Sequence, residues 1–106
     1  MSKRGGFPGG GGNMGAMMKQ AQKMQAELAR AQEEIKDMTF EATAGGGMVK
    51  VVANGDMTVD SIVIDPEAVD PEDVEMLQDM VAAAVNEALR GVSEISSHRL
   101  NAATGG

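Results

Sequence analysis

Between Met14 and Met38 the apolar positions fall at Met14, Met17, Ala21, Met24, Leu28, Ala31, Ile35 and Met38. Their steps alternate between three and four, which is the seam spacing of a heptad repeat. The positions between them include Lys19, Gln20, Gln22, Lys23, Gln25, Glu27, Arg30, Gln32, Glu33, Glu34 and Lys36, all polar and mostly strong helix formers. The pattern predicts a helix over residues 13–38, with Asn13 as its N-cap, reaching about 37 Å at about 1.5 Å per residue. A stripe this narrow suits one helical partner, so Met17, Ala21, Met24, Leu28 and Ile35 form a candidate pairing seam.

At Thr39 the period shortens to two. Thr39–Ala44 alternates in strand fashion, and Gly45-Gly46-Gly47 reads as a turn. Met48–Ala53 makes a second strand, Asn54-Gly55 signals a tight hairpin, and Met57–Ile64 makes a third strand. Two short connections in succession across residues 39–64 predict an antiparallel meander. Asp65-Pro66 closes it. Asp70 then reads as the cap of a second helix over residues 71–97, with Pro71 at its first position and a wide stripe of Val74, Leu77, Val81, Ala84, Val85, Ala88, Val92 and Ile95. The expected fold is α+β, ordered helix, three strands, helix, in one domain over residues 13–99.

Composition narrows the picture. The core is thin in large side chains: ten Met, two Phe, no Trp and no Tyr among 106 residues. Such a chain gains by sharing its core with a second copy, and a homodimer is expected. Residues 1–12 carry two glycine clusters around Phe7-Pro8 and bury too little to offset ordering, so a disordered arm is expected there, with a flexible tail at 100–106. The N-terminus lacks the apolar stretch of a signal peptide, no run of about 18 apolar residues occurs, and there is no cysteine, all of which point to the cytoplasm.

Net charge is −7, yet its distribution is uneven. Lys3, Arg4, Lys19 and Lys23 are the only charges from Met1 to Ala26, giving +4, whereas Asp65 to Asp79 holds seven acids and no base. Screening over about 8 Å lets one end be positive in a molecule whose sum is negative. Acids in the opening turn of a helix are stabilising through its dipole, which accounts for the second cluster without a cation. Arg30 and Lys36 have glutamates at helical spacing, and Arg90 lies between Glu87 and Glu94. Lys19 has no acid at three or four residues, and Lys23 is a like charge four residues away, itself partly relieved by Glu27. Arg99 also reads as free. The sole histidine, His98, has no oriented partner in the pattern, and neither glycine run continues into Lys-Ser or Lys-Thr, so catalysis, metal binding and nucleotide binding find no support.

Several segments carry a family resemblance: Met17-Met18-Lys19-Gln20-Ala21-Gln22-Lys23-Met24-Gln25, then Gly46-Gly47-Met48-Val49-Lys50-Val51, Asn54-Gly55, Ile62-Val63-Ile64-Asp65, and the run from Leu77 to Ala88. In this order and spacing the chain resembles the YbaB/EbfC family of small bacterial nucleoid-associated proteins. The resemblance implies a homodimer whose β-layers join while the long helices project as arms. It also implies binding to double-stranded DNA by both terminal helical regions, which by position nominates Lys19, Lys23 and Arg99. Lys3 and Arg4 are added by the charge distribution alone. The expected function is therefore a DNA-binding homodimer of the nucleoid, with weak sequence preference and neither cofactor nor small-molecule substrate. The alternative is a protein-interaction module whose methionine-rich seam docks a partner helix.

Overall fold

The computed structural model describes residues 7–105, with side chains from Met14 onward, so Lys3 and Arg4 lie outside the described residues. The elements follow the expected order: α1 (Phe7–Lys36), a meander of β1 (Thr39–Ala44), β2 (Val49–Asn54) and β3 (Val59–Ile64), a 3-10 turn (Pro66–Ala68), and α2 (Val74–Ala103). Helix α1 begins at Phe7, ahead of the expected cap at Asn13, and takes in part of the segment expected as an arm. Pro8 occupies the first turn, where a missing N–H costs nothing, and extending an existing helix costs less than nucleating one. At the other end, Asp37 and Met38 donate backbone hydrogen bonds to Glu34 and Ile35 at 3.1 and 3.0 Å, a tight last turn that leaves Met38 outside the helix.

The sheet is antiparallel in the order β1-β2-β3, with Ala42 opposite Val51 and Val51 opposite Ile62. Asn54-Gly55 opens the second turn, but the two-residue hairpin expected there is a longer loop. The positive φ, +65°, falls on Met57. Asn54 organises this loop: its Oδ1 accepts from the Asp56 N–H at 2.9 Å and the Thr58 hydroxyl at 3.0 Å, and its Nδ2 donates to Asp60. Gly55 answers a different demand. A Cβ there would lie 1.6 Å from the Ile35 carbonyl oxygen, and its N–H donates to Met38 O at 2.9 Å. The turn is thus pressed against the root of α1.

Helix α2 lies across β1 and β2. Ala42, Val49, Val51 and Ala53 from the sheet meet Ala84, Ala88 and Val92 from the helix, with Phe40, Leu77, Val81, Val85, Leu89 and Ile95 around them. Because the fully buried side chains are no larger than valine, helix and sheet approach closely. Gly91 makes this possible where the one large group sits: a Cβ at 91 would lie 2.3 Å from the Phe40 ring. The helix starts at Val74, not Pro71, because Asp73 supplies the cap, accepting from Met76 N–H at 3.2 Å. Asp70 instead holds the preceding turn, accepting from Glu72 N–H at 2.9 Å. Helix α2 also runs past Ser97 to Ala103, because its last turns lie alongside α1.

Packing of Phe40 on Gly91 yields a direct test. Gly91→Ala should lower stability by about 1–3 kcal/mol, the usual cost of overpacking. Urea denaturation should show the loss, and a Phe40→Leu change in the same chain should recover part of it.

Candidate nucleic-acid interface

Antiparallel to α2, the seam of α1 divides in two. Ala31 and Ile35 are buried and Leu28 is half-buried, whereas every side chain from Met14 to Ala26 is exposed. The end of α2 explains the division, since Ala103, Thr104 and Gly105 come to rest beside Gln20, Lys23, Met24 and Glu27. Of the expected seam, Leu28 and Ile35 therefore lie on the covered half, Met17 and Ala21 remain bare, and Met24 stands exposed at the boundary. N-terminal to this point, α1 is an arm.

Lys19 and Lys23 both stand on that arm. Among the described side chains, the other five bases are paired: Arg30 with Glu27 at 3.0 Å, Lys36 with Glu33 at 3.3 Å, Lys50 with Glu41 at 3.6 Å, Arg90 with Glu87, and Arg99 with Glu34 at 2.7 Å. Lys19 and Lys23 make no ion pair with a described side chain. At about 100° per residue they point about 150° away from the midline of Met17, Ala21 and Met24. The arm therefore has a cationic face and, nearly opposite, an apolar one. Beside the lysines on the cationic face lie Ala16 and Ala26, and Glu27, one turn after Lys23, is taken up by Arg30.

Arg99 is not the free cation that the sequence suggests. Its Nε donates to Glu34 Oε1 at 2.7 Å and its second guanidinium nitrogen to Oε2 at 3.1 Å, a two-pronged bridge between α2 and α1. That hydrogen-bonded fork, reinforced by the guanidinium charge, holds the Glu34 carboxyl below the usual carboxylate range, and the same bond raises Arg99. Sequence spacing assigns Glu34 to Arg30 four residues earlier. A partner 65 positions away leaves no periodic trace. In the structure Arg99 secures the arm rather than presenting a bare charge.

The acidic run from Asp65 to Asp79 lies around the 3-10 turn and the start of α2. Helix α2, about 45 Å long at about 1.5 Å per residue, separates it from the lysines by several screening lengths. His98 is exposed on α2, and no cluster of three His, Cys, Asp or Glu able to hold a metal occurs among the described residues. No described helix is long and apolar enough to cross a membrane.

Comparison with known proteins agrees on one grouping. A family model described as the YbaB/EbfC DNA-binding family matches residues 10–106. A nucleoid-associated protein of Acetivibrio thermocellus is 56% identical over 103 residues, covering 97% of this chain and 91% of its own. One from Pelotomaculum thermopropionicum is 60% identical over 95 residues, covering 90% of each. Among solved structures, an uncharacterized protein from Helicobacter pylori matches with a TM-score of 0.59 at 31% identity, over 71% of this chain and 87% of that one.

The Glu34–Arg99 bridge has a defined pH dependence. Because the folded-state pKa of Glu34 is depressed, its stabilisation is complete above the unfolded value, about 4.3, and is lost as pH falls through the folded value. Glu34→Gln should lower the melting temperature at pH 7. Melting curves of the two proteins should converge as the pH is lowered past the unfolded value and through the folded one.

Proposed function

We propose that this chain, which belongs to the YbaB/EbfC DNA-binding family, binds double-stranded DNA as a homodimer, through phosphate contacts made by Lys19 and Lys23 on each arm. The observation that carries the reading is that these two lysines, alone among the described bases, lack a carboxylate side-chain partner and stand on an exposed helix. Phosphates would relieve their mutual repulsion and release condensed counterions. Lysine acts as a point charge, and its neighbours Ala16 and Ala26 offer no group to read a base edge, which favours weak sequence preference. Lys3 and Arg4 extend the same acid-free stretch. Arg99 contributes by fixing the arm through Glu34. The relatives' names favour the nucleoid as its place of action.

Support for the homodimer comes from β3. Helix α2 covers β1 and β2 but leaves all six residues of β3 exposed. Ile62 and Ile64 sit opposite Val51 and Val49, on the helix side of the sheet, yet are 44% and 36% exposed. The reverse side carries the Lys50–Glu41 pair and suits water. An apolar strand with an open edge is hazardous in a lone subunit. Pairing β3 with β3 of a second copy would satisfy its backbone and narrow the uncovered strip.

Four lysines engaged in a dimer predict that log affinity falls against log salt with a slope near −4, at about −0.9 per phosphate. Lys19→Glu with Lys23→Glu should abolish binding between 50 and 200 mM salt, the range over which phosphate-driven affinity falls by orders of magnitude. A slope near zero, or unchanged binding by the double variant, would remove the proposal. Ile62→Lys should halve the number of chains in the sedimenting particle while leaving each chain folded.

A further inference from the structure

The DNA reading employs one face of the arm and leaves the other without a role. Met14, Met17, Met18 and Met24 are 67%, 67%, 63% and 45% exposed, and a groove between Met18, Ala21, Met24 and Leu28 runs along this face. It continues the stripe already buried against α2, so it has the width of a single helix. Its flanks are Gln20, Gln22 and Gln25, which carry no charge. An acidic or basic partner would find nothing complementary along them. A second copy of the same helix meets no like charge, because Lys19 and Lys23 are on the far side. Ala21, midway between Met14 and Leu28, allows two such helices to approach where they cross.

Which copy it is follows from the sheet. Each α1 enters the fold at β1, the edge opposite β3. In a six-stranded sheet joined at β3, the two β1 strands stand five spacings apart, about 24 Å at about 4.8 Å each. Helices pack at about 8–10 Å, so the arms of one homodimer are too far apart at their roots to pair along their length. We propose that the exposed seam of α1 pairs with α1 of a second homodimer, turning the lysine faces outward so that one assembly holds two DNA segments. The inference rests on the DNA-binding homodimer above, but its first readout needs no DNA.

The chain lacks cysteine, so a single introduced thiol reports unambiguously. Ala21→Cys should form a disulfide on oxidation in the absence of DNA, and the product should sediment as four chains. Ala26→Cys, on the lysine side, should not cross-link under the same conditions. Adding Lys19→Gln and Lys23→Gln should leave the Ala21→Cys cross-link intact while weakening DNA binding, which separates this proposal from the last. Met24→Glu should reduce the uncross-linked assembly from four chains to two, and should still bind an immobilised duplex while no longer retaining a second, labelled one. Cross-linking at 21 no greater than at 26, a cross-linked product of only two chains, or full retention of the second duplex by Met24→Glu would each overturn it.

Discussion

The two halves of this molecule are held together by one uninterrupted helix. The first half of α2 presses Ala84 and Ala88 onto the sheet, Gly91 follows just past its middle, and its last turns run beside α1 as far as Ala103. The sheet alone has one packed face whose fully buried side chains are no larger than valine; α1 alone has a stripe and no support. Each becomes stable by the same surface of a third element. The small residues of the first half set how deep α2 lies, and that depth fixes where its last turns meet α1. The Arg99–Glu34 bridge then locks the register between the two helices.

Charge is arranged along this long axis rather than around it. The molecule measures 90 × 17 × 16 Å, long enough for an acidic end and a lysine-bearing end to act independently at physiological salt. The negative total suits solubility and keeps one end away from phosphate. Local pairing refines the pattern further: five of the described bases are neutralised where they stand, leaving the positive field to the segment that nothing else covers.

Hydrophobic period carried most of the fold into view. The alternation from Thr39 and the wide stripe from Val74 named the elements because burial demands those spacings. What it could not name was the neighbour. Ile35 and Met17 look alike in the heptad, yet one is buried by α2 and the other is bare, because the end of α2 at Ala103 decides the boundary. Arg99 looked unpaired because only local spacing is legible. The isolation of Lys19 was legible, since no acid lies three or four residues away, whereas Lys23 has Glu27 at that spacing and is left alone only because Glu27 turns to Arg30. The helix ends shifted for a related reason: two aspartates compete to cap α2, and the backbone that selects Asp73 over Asp70 is set by the turn between them.

Gly55 gives the β2–β3 turn a mechanical standing. Its backbone rests on the Ile35 carbonyl and is bonded to Met38, with no side chain between to act as a cushion. The root of α1 and the loop that leads to β3 therefore abut backbone to backbone, and any larger residue at position 55 would have to wedge them apart.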